Sequence, residues 1–137
     1  MTDRVTFEVE GIPVAQGSMT AFQSASTGKI IMPQKAALLT WRTKVAEAGH
    51  KARSQAAGWP WDCAIAVKVD FYLPRPKSAK NRNYPHVKPD IDKLIRAVLD
   101  GLTGVLWVDD SRVVAVGACK KYAEGSLGSV QIEVMKV

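Results

Sequence analysis

The chain has 137 residues, 47% of them hydrophobic and 23% charged, a make-up that suits one folded domain over 1–137 and excludes a disordered chain. Lys and Arg number 19 against 13 Asp and Glu, for a net charge of +6, which fits a polyanionic partner. No stretch approaches the roughly 18 apolar residues that span a bilayer, and MTDRVTFEVE lacks the apolar run of a secretory signal, so a cytoplasmic protein with no membrane partner is expected.

Residues 5–10, VTFEVE, alternate apolar and polar as a half-buried strand does. GIPVAQGSMTAFQSASTGK follows, a long loop rich in Gly, Ser and Thr with room for a short strand at 29–32. Within it Gln16, Gly17 and Ser18 could bring backbone N–H groups to a phosphate, although the glycine pattern is loose. A helix is predicted over 34–57, where Leu38, Trp41, Val45, Ala48 and Ala52 recur at three- and four-residue steps. Gly58 and Pro60 stop it.

Residues 62–73 form the clearest strand, with Cys63, Ile65, Val67, Val69, Phe71 and Leu73 on one face. Cys119 lies far from Cys63 and neither has Cys or His at metal-ligand spacing, so both are expected as buried free thiols. Residues 74–89 break all periodicity and carry Arg75, Lys77, Lys80, Arg82 and Lys88 with no acid. Such a segment cannot build a core and reads as a charged loop that stays mobile until a ligand orders it. Trp41, Trp59, Trp61 and Trp107 read as core or interface residues.

The second helix begins in KPDIDKLIRAVLDGLTG. Ile91, Leu94, Ile95, Val98, Leu99 and Leu102 repeat at the helical period, and Gly104 supplies the stop. VLWV then runs, extended, into Asp109 and Asp110. Arg112 to Tyr122 and Ser129 to Val137 read as two strands joined by a glycine-containing turn, a hairpin. The order β-α-β-α-β-β predicts a single-domain α/β fold, a mixed sheet with two main helices packed on it.

Each acid of this region has an ordinary explanation as a cap or turn residue. Together they allow more. If both Asp90 and Asp92 were helical they would point about 200° apart. With Asp90 outside the helix, extended as Pro89 favours, its side chain can swing toward Asp92. Those two carboxylates and one from the Asp109–Asp110 turn would suit a hard divalent cation acting on a phosphodiester. Asp92, Arg96 and Asp100 fall at i, i+4 and i+8, in one line along the helix. Arg96 can clamp a phosphate oxygen, or form an i,i+4 bridge with Asp92 in the free protein.

KPDIDKLIRAVLDGLTGVLWVDDSRVV, residues 88–114, resembles the signature of the RusA-type crossover-junction endodeoxyribonucleases. The shared pattern is Asp-x-Asp opening a helix, a basic residue four positions later, a further Asp in that helix, and Asp-Asp before a strand. The rest of the chain agrees more loosely. The resemblance implies a RusA-like fold and a homodimeric, Mg²⁺-dependent nuclease (with Mn²⁺ able to substitute) that resolves four-way Holliday junctions by paired symmetric nicks. It carries Asp90, Asp92 and Asp110 over as catalytic carboxylates and metal ligands, and Arg96 as the basic active-site residue. Asp100 and Asp109 are lesser candidates beside them. The family's basic position is often Lys; arginine stays protonated, so Arg96 can clamp charge but cannot act as a base.

Carboxylates repel DNA, so the site needs cations nearby. Arg75, Lys77, Lys80, Arg82 and Lys88, with Lys93 on the helix, are the candidate DNA contacts. Tyr84 and His86 could stack on exposed bases, although such residues more often brace a loop. Two alternatives stay open: a non-catalytic DNA-binding module, and a Mg²⁺-dependent nucleotide phosphohydrolase.

Overall fold

The computed structural model describes residues 3–17, 22–23, 30–31, 35–125 and 127–137. Ser18, Lys29, Met32 and Gln34, which enter the expectations above, lie outside them.

Four strands form one mixed sheet: β1 (Arg4–Glu10), β4 (Ile65–Pro74), β5 (Val113–Ala123) and β6 (Ser129–Lys136), in the order β1-β6-β4-β5. A two-residue pair, β2 (Phe22–Gln23) and β3 (Ile30–Ile31), stands apart. Helices α1 (Lys35–Ala52) and α2 (Ile91–Leu102) complete the fold. The expected single-domain α/β fold with a mixed sheet and two helices is the one observed.

The hairpin is not. β5 and β6 flank β4 rather than pairing with each other: β4 pairs β5 in parallel and β6 antiparallel. Crossing β4 spans about 10 Å, which the five residues between β5 and β6 can reach as easily as they can turn tightly. Spacing alone does not separate the two arrangements. Packing does, because β4 buries Ile65, Val67, Val69, Phe71 and Leu73 and so belongs in the middle. The crossing chain passes close at Gly128, where a Cβ would meet Tyr72 O at 3.1 Å and Gly11 O at 3.2 Å.

One face of the sheet carries the core. The rows Val5–Val134–Val67 and Val9–Val130–Phe71 run across three strands and meet Leu38, Trp41, Val45, Leu94, Val98 and Leu102 of the helices. The cover thins over β5, where Val116, in register with Val67, is 43% exposed.

Two element ends differ from expectation for visible reasons. α1 stops at Ala52, followed by a single 3₁₀ turn at Arg53–Gln55. Trp59 Nε1 donates to Arg53 O and Ala56 O, and Trp61 Nε1 to Ala57 O, so the indoles fix the chain that follows the helix through its carbonyls. β4 starts at Ile65, because Trp61 is engaged elsewhere: its N–H donates to Leu106 O and its carbonyl accepts from Val108 N. The expected extended VLWV run is instead a turn against that segment. Cys63 and Cys119 are free thiols, both partly buried.

α2 lies against α1 at two glycines. A Cβ on Gly101 would sit 3.1 Å from Val45 Cγ1, and one on Gly49 would sit 2.7 Å from Leu102 Cδ2. This approach sets the rotation of α2. The buried face is Leu94, Ala97, Val98, Gly101 and Leu102, so Ile95 and Leu99 of the expected stripe are left half-exposed at its edge.

Candidate active site

That rotation aims a line of α2 at the sheet edge. Asp92, Ile95, Arg96, Leu99 and Asp100 border a cleft of about 370 Å³ with Val113 and Asp110. Three carboxylates and a guanidinium therefore surround an apolar floor of Ile95, Leu99 and Val113. α2 is the crossover between the parallel strands β4 and β5. Asp92 lies in its first turn and Asp110 follows its far end, so the crossover brings the two motif halves to one surface. A second groove, about 400 Å³, lies between α1 and β1 among Glu8, Glu10, Lys44, Glu47 and Lys51. Its mixed charges sit away from every motif residue.

Asp90 is the residue before α2, with φ −72° and ψ 140°, outside the helix as expected. Its carbonyl accepts the first helical bond from Leu94 N at 3.1 Å. Its side chain makes no capping hydrogen bond; its carboxylate instead lies 3.4 Å from Lys93 Nζ. Asp90 is not among the residues that line the cleft. Among the described residues no group of three or more His, Cys, Asp or Glu side chains is placed to hold a metal ion.

Arg96 is exposed and makes no ion pair with Asp92 among the described residues, so the alternative bridge does not form. Its Nη1 is 3.6 Å from where a Cβ of Gly17 would stand. The chain after β1 crosses α2 here. Gln16 N donates to Lys93 O at 3.0 Å and Gln16 Nε2 to Asp100 Oδ2 at 2.5 Å, while Gln16 Oε1 is buried without a partner among the described residues.

The adjacent acids Asp109 and Asp110 have separate roles. Asp109 Oδ2 accepts from Ser111 N at 3.0 Å and Ser111 Oγ at 2.6 Å, capping the 3₁₀ turn Asp110–Arg112. The Ser111 hydroxyl, then its N–H, hold the Asp109 carboxyl below its ordinary value, with a smaller pull from Arg112. Asp110 faces the cleft, and its Oδ1 accepts from Thr103 Oγ1 at 2.5 Å.

The basic segment makes more internal contacts than its composition suggests. A 3₁₀ turn at Lys77–Ala79 carries it, and Arg75 Nη1 donates to Ala79 O and Arg82 O, both at 2.7 Å. Arg75 also pairs with Glu124 at 2.6 Å and stacks 4.2 Å over the Tyr122 ring, whose hydroxyl takes a bond from Arg82 at 3.0 Å. The two arginines thus brace the loop against Ala79, Arg82, Glu124 and Tyr122. Lys77, Lys80 and Lys88 are exposed and make no ion pair among the described residues. Lys120 of β5 donates to Val87 O and Pro89 O, both at 2.8 Å, tying the loop down just before Asp90. Tyr84 is 60% exposed, and its carbonyl lies 3.2 Å from His86 Nδ1.

Sequence patterns did not mark Thr103, Lys120 or the Gln16–Asp100 contact. Lys120 and Thr103 belong to elements whose neighbours only the sheet order and the α2 turn establish.

Fold and site together define an α/β protein whose crossover helix presents carboxylates and an arginine in an open cleft, an arrangement suited to phosphodiester chemistry. The chain belongs to the RusA endodeoxyribonuclease family: the family model described as Endodeoxyribonuclease RusA matches residues 10–135. It is also 30% identical over 146 residues to the uncharacterized protein YqaN of Bacillus subtilis (strain 168), covering 97% of this chain and 95% of that one.

Proposed function

We propose that this protein is a homodimeric, Mg²⁺-dependent endonuclease that resolves four-way DNA junctions by paired symmetric nicks. The observation that carries this reading is that Asp92, Arg96, Asp100 and Asp110 line one open cleft in a chain of the RusA family. Twofold-related protomers would bring one such cleft to each of two opposed strands.

The donor chemistry fits the cation. Carboxylate oxygens are hard ligands, and Mg²⁺ commonly takes one or two of them with waters and substrate phosphates completing its shell. Asp92 and Asp110 each offer it a carboxylate in the cleft, but at separate places: Asp110 is hydrogen-bonded to Thr103, about 16 Å along the helix axis from Asp92, so the two do not share one ion in this arrangement. Asp90 is the third candidate, its exposed pairing with Lys93 being of the kind that contributes only ~0–1 kcal/mol and yields readily. When bound, the cation supplies Lewis-acid polarisation of the phosphodiester and activation of water. Arg96, without an ion-pair partner among the described residues and always protonated, binds a phosphate oxygen and the charge that develops on it. Asp100, held by Gln16, keeps the cleft acidic beside Arg96. The exposed Lys77, Lys80 and Lys88 draw the backbone toward the carboxylates.

The test is cleavage of a synthetic four-way junction, end-labelled on each strand in turn, with Mg²⁺ present. Nicks on opposite strands are expected, and Asp92→Asn should abolish them while junction binding persists. If Asp92→Asn cuts like the unmodified protein, the assignment is wrong. Chelator-insensitive binding with no nicking would instead identify a DNA-binding module. Turnover of small nucleotides without DNA cleavage would identify a phosphohydrolase.

A further inference from the structure

α2 ends in a hydrogen-bonded turn that leads from the core to the cleft. Thr103 closes the helix in an extended conformation, and Gly104, with φ +86°, reverses the chain. Gly104 N donates to Trp107 O at 2.7 Å, and this closes the turn. Trp107 is completely buried. Its Nε1 donates to Thr103 Oγ1 at 3.0 Å. That oxygen lies 2.5 Å from Asp110 Oδ1 and 2.8 Å from Leu99 O.

The Thr103 hydroxyl has one proton and two acceptors in reach. Leu99 O already accepts from Thr103 N at 2.9 Å. Asp110 Oδ1 is closer and, when ionised, the stronger acceptor; 2.5–2.7 Å is about the usual length of a hydroxyl bond to a carboxylate. The proton therefore goes to Asp110. Trp107, a donor only, supplies the second bond to Oγ1 and prevents the hydroxyl from rotating away. The chain of bonds runs from Trp107 N–H to the Thr103 hydroxyl to the Asp110 carboxylate, and its inner end is locked in the core.

We propose that Thr103 and Trp107 are positioning residues that set the Asp110 carboxylate for its work in the cleft. This rests on the reading of Asp110 as a site carboxylate. One oxygen is held by Thr103, which leaves the other for a cation. A carboxylate preceded by a rigid donor loses less freedom on binding than one that is free to turn, and such supporting bonds typically matter by about 10–100-fold in metal affinity or activity.

Thr103→Val removes the hydroxyl at nearly constant shape; Thr103→Ser keeps the hydroxyl. The indole resonance of Trp107 in a proton–nitrogen correlation spectrum reports the inner bond directly, without metal or DNA. It should shift in Thr103→Val and stay near its original position in Thr103→Ser. Calorimetric Mn²⁺ binding should weaken about tenfold or more in Thr103→Val. With Mg²⁺ and saturating junction, kcat should fall by a similar factor while KM changes less than about twofold, and Thr103→Ser should restore both. Should Thr103→Val not fold, Thr103→Ala takes its place. An unshifted indole, or a folded hydroxyl-free variant that binds Mn²⁺ and cuts as the unmodified protein does, overturns the proposal. An unmodified protein that neither cuts junctions nor binds Mn²⁺ overturns the functional reading itself, and the relay's role with it.

Discussion

Gln16 and Asp100, 84 residues apart in the chain, meet at 2.5 Å, where the Gln16 amide nitrogen donates to the carboxylate. Among the described residues the oxygen of the same side chain is buried with no partner. An acceptor left unpaired in the interior costs about 1–3 kcal/mol, which offsets part of what the donor contributes. Gln16→Leu removes both the favourable donor and the unpaired acceptor. Thermal unfolding should show a change within about 1 kcal/mol, while junction cleavage falls severalfold. A loss of stability larger than the loss of activity would assign Gln16 to folding instead.

The two neighbouring acids after α2 should separate cleanly. Asp109 is occupied by Ser111 and closes a turn, whereas Asp110 borders the cleft. Asp110→Asn should lower single-turnover cleavage by at least about 100-fold, in line with the loss of a metal-orienting ligand. Asp109→Asn, which keeps a capping oxygen for the Ser111 N–H, should cut within a few-fold of the unmodified protein. Equal losses would place both acids in the chemistry.

Arg96 stands at the cleft without an ion-pair partner among the described residues. Removing a donor that meets developing charge costs about 10²–10³ in kcat. Arg96→Ala should show a loss of that order in single-turnover cutting at saturating junction, with binding little changed. Arg96→Lys keeps the charge but not the planar fork and should fall between. Weakened binding with an unchanged cleavage step would make Arg96 a backbone contact only.

The basic segment divides into two kinds of cation. Replacing exposed Lys77, Lys80 or Lys88 with Ala should weaken binding to all DNA sequences and lower the salt slope by about 0.9 for each phosphate no longer neutralised. Arg75→Ala should act on folding, because its guanidinium joins Ala79 O, Arg82 O and Glu124. A cost of about 1–3 kcal/mol in urea unfolding is expected. An unchanged unfolding midpoint would return Arg75 to the DNA-binding group.

Much of this was legible in the chain itself. Period-two burial marked β1 and β4, and the helical period marked α2, because those repeats follow from backbone geometry within a single element. Asp90 stands outside the helix as Pro89 favours, although its carboxylate turns to Lys93 rather than into the cleft, and the i, i+4, i+8 line of Asp92, Arg96 and Asp100 does face one cleft. The Asp-x-Asp and Asp-Asp pattern also carried the family resemblance.

Tertiary structure decided what depends on neighbours distant in sequence. A five-residue connection can close a hairpin or cross a strand, and the central place of apolar β4 settled it as a crossing. Periodicity defined the apolar stripe of α2 without saying how much of it would be covered. The glycine contact with α1 turned Ile95 and Leu99 toward the cleft. Composition marked the basic segment as unable to form a core, but Arg75 and Arg82 found carbonyls, Glu124 and Tyr122 to hold it. The roles of Asp109 and Asp110 were separated by Ser111 and Thr103, each by a hydrogen bond whose geometry no spacing rule contains. Local repeats are written into the backbone, whereas the assignment of polar groups to partners depends on where the folded core brings them.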